Sequence, residues 1–160
     1  MKSKYCKIIA LTIVGVLSGC SINHPVAKDY PQYLAEHGKE GNLPKTELES
    51  SYSIDGKTET HRYEFRAATV GYAHLWIVEF GKILDDTLNA PYVQSSFGAL
   101  KKVNADAKES GNIVQFTLNS YEFKDYRAYV SMNIVLSNGG KEIVNKTYSS
   151  EGDSKGGQMW

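Results

Sequence analysis

The stretch that decides the fold spans residues 113–150 and reads IVQFTLNSYEFKDYRAYVSMNIVLSNGGKEIVNKTYSS. Apolar and polar side chains alternate along it, first from Val114 to Leu118 and again from Ala128 to Leu136. Alternation with a period of two is the pattern of a strand that buries one face. A third β-prone run, Lys141 to Ser149, follows directly. The stretch therefore predicts three consecutive strands.

Turn signals separate these three runs. Lys124-Asp125-Tyr126 lies between the first two, and Asn138-Gly139-Gly140 lies between the second and the third. Asn-Gly between alternating runs is a strong hairpin signal, because both residues tolerate the positive φ that tight hairpin turns require. We expect an antiparallel meander that turns at these two positions.

Upstream of the meander, the hydrophobic period changes between Tyr72 and Leu88. Apolar residues recur there at steps of three and four, at Ala73, Ile77, Phe80, Leu84 and Leu88. This spacing favours one amphipathic helix of about five turns, ended by Asn89 and Pro91. Gly81 inside a helix costs about 1 kcal/mol relative to Ala, which suggests that it packs closely against another element.

The remaining β-prone runs are shorter. Thr58 to Val70 alternates in the same way, and Asp55-Gly56 before it is typical of a hairpin turn. Phe97 to Val103 is a further short strand, and residues 104–112 are a polar connection. Together these runs predict an α+β fold, in which one long helix packs on one face of an antiparallel β-meander sheet.

The predicted domain extends from residue 51 to residue 150, and the segment before it has a different composition. Residues 20–50 hold three of the four prolines and few apolar side chains. Such a segment buries too little area to offset its ordering entropy, so we expect a lipidated N-terminus and a flexible tether. Tyr30, Tyr33 and Leu34 within it either pack back on the domain or form a partner-binding motif.

The last ten residues, 151–160, are polar and rich in glycine, and they end at Met159-Trp160. One helix on a sheet of this size usually leaves part of the face uncovered. We therefore expect the natural chain to continue into a further helix, so that the tail is truncated here. The alternative is that Trp160 packs against the sheet or at a membrane interface, where amphipathic aromatic residues are favourable.

Residues 1–19 have the organisation of a bacterial signal peptide. Lys2, Lys4 and Lys7 precede an apolar run from Ile8 to Leu17, and this run is about half as long as a membrane-spanning helix. Leu17-Ser18-Gly19-Cys20 then reads as a lipobox. Cys20 is expected to become the acylated first residue of the mature chain. The alternative is an ordinary signal peptide that happens to contain a cysteine.

The lipobox predicts a lipid anchor made of acyl chains such as palmitate. One acyl chain holds a protein only marginally, whereas several chains hold it stably. The next residue is Ser21, and in similar lipoproteins a serine there permits export, whereas an aspartate retains the protein in the inner membrane. We expect attachment to the outer membrane on its periplasmic side.

Charge and cysteine usage narrow the functional class. The leader contains three of the 18 Lys and Arg residues and none of the 18 Asp and Glu residues, so the mature chain has a net charge of −3. This balance argues against a basic nucleic-acid surface and against a polybasic lipid-binding patch. Cys6 leaves with the leader and Cys20 is acylated. No thiol remains for a disulfide, and the domain depends on its hydrophobic core.

The sequence contains no convincing catalytic constellation. The histidines lack the spacing of a metal-binding motif and stand at His24, His37, His61 and His74. Asp85 and Asp86 are adjacent, so on a helix they point in different directions and do not form an acid–base pair. No serine lies in a GxSxG motif. We expect a protein that is not an enzyme and that has no cofactor or metal.

Two sets of residues allow either a structural or a binding role. Four of the eleven tyrosines gather in the predicted sheet, at Tyr121, Tyr126, Tyr129 and Tyr148. They either stabilise the sheet as cross-strand pairs or form a surface for a sugar, a peptide or a protein. The second set forms either an ordinary core or an acyl-chain pocket between helix and sheet, and it comprises Trp76, Phe80, Leu84, Val130 and Met132.

The order of these features resembles the small envelope lipoproteins of Gram-negative bacteria. The lipobox is followed by a Pro-containing tether, a strand, a helix and a meander that ends near GGKEIVNKTYSSEG, residues 139–152. It is most similar to the YajG type and to the auxiliary lipoproteins of lipid-transport ABC systems, including lipopolysaccharide-assembly helpers. The resemblance implies a non-catalytic role and supplies no catalytic residues.

Three functional hypotheses follow. The first is an outer-membrane lipoprotein that binds or scaffolds a protein partner in the envelope through its sheet face or edge. The second is a lipid- or glycan-binding auxiliary subunit of an envelope transport system. The third is a hydrolase of envelope polymers, and no nucleophile–base pair supports it. A continuous apolar cavity favours the second hypothesis over the first. The oligomeric state is left open by the sequence.

Overall fold

The computed structural model describes residues 21–38, 43–46, 49–66, 71–97, 100–105 and 111–153. Over these residues the strands are β1 Ile22–Pro25, β2 Ser50–Ile54, β3 Arg62–Phe65, β4 His74–Glu79, β5 Leu100–Lys102, β6 Asn112–Lys124, β7 Arg127–Asn138 and β8 Lys141–Asp153. The helices are α1 Val26–His37, α2 Gly56–Glu59, α3 Phe80–Leu88 and α4 Pro91–Gln94. The α+β class is confirmed, but the strands form two sheets.

The larger sheet has the strand order β5-β2-β6-β7-β8. Strands β6, β7 and β8 form the antiparallel meander predicted from the sequence. Strand β2, however, pairs in parallel with both β5 and β6. The prediction of a single antiparallel meander is therefore wrong. The chain leaves β2, forms two strands of the smaller sheet and three helices, and re-enters at the same end, which is the crossover that parallel pairing requires.

Both predicted meander turns are present. Asp125 and Tyr126 have φ values of 51° and 61°, and Gly139 and Gly140 have φ values of 56° and 79°. Positive φ at both central residues defines the turn whose twist matches that of the flanking strands. The meander was predictable because its turns depend on short-range sequence alone.

The smaller sheet has the order β1-β4-β3. Its central strand lies where the sequence predicted part of a long helix. Residues 72–88 do not form one long helix, because His74–Glu79 is the central strand and only Phe80–Leu88 is helical. Ile77 and Val78 are both buried, although they point to opposite faces of the strand. A continuous apolar run suits a central strand that is covered on both faces, and the helical spacing was fortuitous.

The segment expected to be a tether is ordered over Ile22–His37. Strand β1 pairs in parallel with β4, and α1 contacts both α3 and β4. Ala27 on α1 is 1% exposed, so the helix is packed into the domain. Tyr30, Tyr33 and Leu34 are half-buried on it. They pack back on the domain, which was one of the two expected outcomes.

Asp55-Gly56 does not form the predicted hairpin turn. Asp55 is the N-cap of α2, and its carboxylate accepts hydrogen bonds from the backbone N–H groups of Lys57 at 3.0 Å and Thr58 at 3.2 Å. Partial burial alone would raise the pKa of Asp55, but the hydrogen bonds, led by that from the Thr58 side chain, hold it below its ordinary value. An aspartate before a glycine suits a helix N-cap as well as a turn.

The hydrophobic core lies between α3, α4 and the β5–β2 side of the larger sheet. Its buried members are Tyr52, Ile54, Leu88, Ala90, Val93 and Leu100. The Tyr52 hydroxyl donates a hydrogen bond to Asp85 Oδ1 at 2.8 Å and accepts one from Asn89 Nδ2 at 2.9 Å. Burial, followed by the Asp85 contact, raises the pKa of Tyr52 to about 12, so this phenol stays neutral.

Several expectations fall outside the described residues. The leader with its lipobox, Leu17 to Cys20, is among them, as are the end of the run expected to reach Val70 and the tail after Asp153. The short strand expected within Phe97–Val103 is present as β5. None of the helices in the described ranges is long and apolar enough to span a bilayer.

Candidate functional site: an apolar cavity

A cavity of about 190 Å³ lies between the helices and the end of the meander. Helix α1 contributes Val26 and Tyr30, and α3 contributes Phe80 and Ile83. Because residues three or four apart share one face of a helix, each helix presents one side to the cavity. The same cavity touches the smaller sheet at Phe65 of β3 and at Val78 of β4.

The meander supplies the opposite wall. Its lining residues share one face of the larger sheet and are Tyr121, Phe123, Ala128, Val130 and Gly152. Their pairing confirms the shared face, since Tyr121 pairs with Val130 and Ala128 pairs with Gly152. Phe123 and Ala128 are half-buried. The lining is therefore apolar and accessible from solvent on this side.

A β-bulge in β6 places the aromatic residues on the cavity face. The register shifts between Leu118 and Ser120, because β6 contains one extra residue there. The side chains after the bulge therefore point to the face opposite to the one that strict alternation would give. Without the bulge, the alternation that buries Leu118 would turn Tyr121 and Phe123 to the opposite face. Thr58 of α2 meets the bulge, and its hydroxyl accepts a hydrogen bond from the Leu118 N–H at 2.7 Å.

The aromatic rings of the lining pack against one another. Phe65 stacks on Phe123 with a centroid distance of 4.4 Å, and Phe80 lies 5.8 Å from Tyr121. Tyr63 contacts Tyr121 edge-on at 5.2 Å. These are favourable aromatic geometries. They fix the wall of the cavity from three different segments of the chain.

Two hydroxyl groups belong to the lining, and both remain neutral. Tyr30 shares a hydrogen bond of 2.9 Å with the Thr87 hydroxyl, and burial raises the pKa of Tyr30. Burial also raises the pKa of Tyr121 to about 12. Among the described residues, the side chains that line the cavity include no Asp, Glu, Lys, Arg or His. The cavity is therefore suited to an uncharged, apolar ligand.

The four tyrosines singled out from the sequence do not form one surface. Tyr121 lines the cavity, whereas Tyr126 lies in the β6–β7 turn. Tyr129 pairs with Glu122 and Glu151 on the face opposite to Tyr121. Tyr148 pairs with Met132 on the same face as Tyr121 but is 54% exposed. The fold therefore does not bring these four tyrosines together on one binding surface.

The predicted acyl-chain pocket is only partly the observed cavity. Phe80 and Val130 line it, whereas Leu84 packs on the core and Trp76 stacks with Phe65 at 5.7 Å. Met132 lies two residues further along β7 from Val130. The sequence missed Val26 and Tyr30, whose four-residue spacing is a helical signal that Pro31 and the polar surroundings obscured.

Outside the cavity, the fold brings two histidines together. His24 Nε2 and His74 Nδ1 are 2.8 Å apart, and the His24 ring stacks on Trp76 at 5.0 Å. Within the described residues, no group of three or more His, Cys, Asp or Glu side chains is placed to hold a metal ion. Asp85 contacts Tyr52, whereas burial raises the pKa of Asp86, so these adjacent carboxylates sit in different environments.

A second notable surface is the outer part of the meander. Every described side chain of β8, from Lys141 to Gly152, is exposed. Ile143, Val144 and Tyr148 are 57%, 38% and 54% exposed. Among the described residues no strand pairs with the outer edge of β8. Such an edge offers backbone donors and acceptors to another extended chain.

Neither a protein-family model nor a curated protein matches the chain. Among solved structures, it is similar to the crystal structure of protein XCC0632 from Xanthomonas campestris, which is assigned to the family model DUF330. The TM-score is 0.48 and the sequence identity is 12%, over 74% of this chain and 74% of that chain. At this level of similarity the neighbour assigns no residue role or activity here.

Proposed function

We propose that the protein is a non-catalytic outer-membrane lipoprotein, facing the periplasm, that binds the hydrocarbon chain of a lipid as an auxiliary subunit of an envelope transport system. The observation that carries this proposal is the apolar cavity of about 190 Å³ between the helices and the meander. A scaffold needs a surface but no interior volume. The cavity therefore favours lipid binding over the scaffolding of a partner.

The chemistry of the lining selects hydrocarbon over a glycan. A sugar buried in this cavity needs partners for its hydroxyl groups, and an unpaired buried hydroxyl costs about 1–3 kcal/mol by protein mutational data. Of the two hydroxyl groups in the lining, that of Tyr30 is already engaged by Thr87. Aliphatic and aromatic side chains, by contrast, match a methylene chain without such a cost.

The size of the cavity is sufficient for part of an acyl chain. An apolar cavity of about 150 Å³ in another protein stays dry and binds benzene, and the cavity here is larger. Each methylene group moved from water into such a site contributes about 0.8 kcal/mol. A polar headgroup would stay outside, because the lining has no charged group to receive it.

The test is to fill the cavity from the meander side. Ala128 lines the cavity, and it faces Gly152 across the strands, where an added Cβ would lie 4.0 Å from Ala128 Cβ. Ala128→Leu should weaken the binding of a fluorescent fatty-acid analogue at least about tenfold, which corresponds to about 1.4 kcal/mol. Binding is measured by titration on the soluble Cys20→Ser protein.

The matched control is Ala35→Leu, at an exposed position on α1. This variant should bind the analogue as tightly as the parent protein. Circular dichroism and thermal unfolding establish that both variants fold. Unchanged affinity in a folded Ala128→Leu protein would refute hydrocarbon binding in this cavity.

A second candidate function rests on the outer part of the meander. Five apolar side chains continue along the same sheet face beyond the cavity, and by their pairing they are Met132, Ile134, Leu136, Val144 and Tyr148. We refer to these five residues as the apolar strip. Val144 and Tyr148 are exposed, whereas Met132, Ile134 and Leu136 are half-buried. A partly exposed strip beside a strand edge is suited to a protein partner that adds a strand or packs on the face.

A further inference from the structure

Ser21 and Ile22, which directly follow the cysteine expected to be acylated, are already joined to the domain. Ile22 N–H donates to the Ala73 carbonyl at 2.8 Å, which begins the pairing of β1 with β4. The Ser21 hydroxyl accepts a hydrogen bond from Arg66 Nη2 at 3.2 Å. Consecutive Cα atoms are about 3.8 Å apart. Cys20 is the residue bonded to Ser21, so acyl chains on Cys20 would be attached one residue away from this surface.

Other segments reach the same end of the molecule. Strand β3 runs beside β6 in the same direction, since Tyr63 contacts Tyr121 and Phe65 contacts Phe123. The residues that follow, Arg66 after β3 and the Asp125–Tyr126 turn after β6, therefore lie together. We call this surface the Ser21 end and define it by Ser21, Ile22, Arg66, Tyr72, Lys124 and Tyr126.

The Ser21 end exposes aromatic and basic side chains of the kind found at membrane interfaces, with the exposed acidic side chain of Asp125 beside them in the turn. Ile22, Tyr72 and Tyr126 are 48%, 73% and 53% exposed, and the side chains of Arg66 and Lys124 are also exposed. Aromatic side chains concentrate at the headgroup level of bilayers. Lys and Arg attract anionic headgroups, and Arg pairs well with phosphate. The Arg66 guanidinium also donates to the Tyr72 carbonyl, which ties the backbone at Tyr72 to Arg66.

We propose that the Ser21 end rests directly on the phospholipid bilayer, with Ile22, Tyr72 and Tyr126 at headgroup level and with Arg66 and Lys124 facing lipid phosphates. The inference depends on the acylation of Cys20 and not on hydrocarbon binding. This contact would hold the domain in a fixed orientation on the bilayer, whereas the flexible tether expected from the sequence would leave its orientation free.

This orientation gives the cavity a definite position. Phe65 and Phe123 line it and directly precede Arg66 and Lys124 of the Ser21 end. One wall of the cavity therefore lies beside the bilayer surface. A lipid chain would then have only a short path from the membrane to the cavity. The contact surface and the proposed lipid binding are linked in this way.

The experiment attaches one fluorescent probe to each protein, either at the Ser21 end or at the opposite end of the meander. Acylated Cys20 has no free thiol and Cys6 leaves with the leader, so Tyr72→Cys, Tyr126→Cys and Lys141→Cys each introduce the sole reactive thiol. Lys141 lies at the far end of the meander, about 40 Å away along 13-residue strands. Labelled proteins are reconstituted in vesicles of phosphatidylethanolamine and phosphatidylglycerol that contain a headgroup-level quencher lipid.

We expect probes at positions 72 and 126 to be quenched at least several-fold more than the probe at position 141. Mass spectrometry first verifies the acylation of Cys20, and circular dichroism verifies that each labelled protein is folded. Equal quenching at all three positions would overturn the proposal, as would a Cys20 that carries no acyl group. Because hydrocarbon binding is measured on the Cys20→Ser protein, equal quenching leaves hydrocarbon binding standing. A Cys20 without an acyl group would contradict both the bilayer contact and the lipoprotein part of the proposed function.

Discussion

Thr58 joins α2 to the bulge of β6 through one side chain. It is 1% exposed, and its hydroxyl donates to the Asp55 carboxylate while it accepts from the Leu118 N–H at 2.7 Å. Strand β2 ends at Ile54, which pairs with Phe116, so the Leu118 N–H has no strand partner on that side, and a buried unpaired N–H is costly. Thr58 supplies that partner.

Thr58→Val keeps the shape of the side chain and removes both hydrogen bonds. The Leu118 N–H then remains buried without an acceptor, which costs about 1–3 kcal/mol. We expect the free energy of unfolding, measured by urea denaturation, to fall by that amount. The Asp55 carboxylate also loses a donor that keeps its pKa low, so the pKa of Asp55 should rise in the variant.

Thr60→Val in the next turn is the matched control. Its hydroxyl donates to the Gly56 carbonyl at 2.8 Å, but the residue is exposed. Water replaces the lost hydrogen bond, so the loss should stay within about 0.5 kcal/mol, the range of surface substitutions. If the two variants lost the same stability, the hydrogen bond to Leu118 would not be important for the bulge.

At the scale of elements, α2 and α3 cross closely at Gly81. A Cβ added at Gly81 would lie 2.5 Å from Glu59 Cα, whereas carbon atoms in contact are about 3.5–4.0 Å apart. Gly81→Ala would gain about 1 kcal/mol of helix propensity, but the helices must separate. We expect a net loss of about 1–3 kcal/mol in the free energy of unfolding.

Gly56→Ala is the control for this prediction. Gly56 begins α2, and an added Cβ there has no other heavy atom within 4 Å. Urea denaturation should show the same stability as the parent protein or a slightly higher one, because alanine restricts the unfolded chain. A Gly81→Ala protein as stable as Gly56→Ala would contradict the close crossing.

The elements that the sequence predicted correctly are those whose signals are local. The β6–β8 meander follows from period-two alternation and from turns such as Gly139-Gly140. The prediction failed for residues 72–79, because a run that is buried on both faces as a central strand also matched a helical spacing. It failed for α1 because Pro31 and a polar composition concealed its packed face.

The cavity was harder to predict than the meander, since its walls come from separate segments. Phe80 and Val130 were expected to line a pocket and do so. Val26 and Phe65 were not expected there, because the order β1-β4-β3 that brings them together depends on long-range pairing. The close approach at Gly81 was predictable, since a glycine within a helical run indicates a neighbour.

At the scale of the whole molecule, the two sides of the larger sheet differ in what covers them. Helices α3 and α4 cover the side at β5 and β2 and build the core there. The side at β7 and β8 carries the cavity at one end and the apolar strip beyond it. An uncovered apolar face is unfavourable in water unless a partner or ligand covers it. The β7–β8 side is therefore the side to which both proposed binding functions are assigned.

The last prediction tests whether a protein partner covers the apolar strip. A photo-crosslinking amino acid replaces Tyr148, which is 54% exposed on the strip, and the lipidated protein is irradiated in intact envelopes. We expect a discrete protein adduct, identified by mass spectrometry, at this position. The same substitution at Lys57, which is exposed on α2 and is not part of the strip, should give none. An adduct of twice the chain mass would identify a second copy as the occupant. Equal labelling at both positions, or none at position 148, would count against the second candidate function and leave the cavity as the binding site.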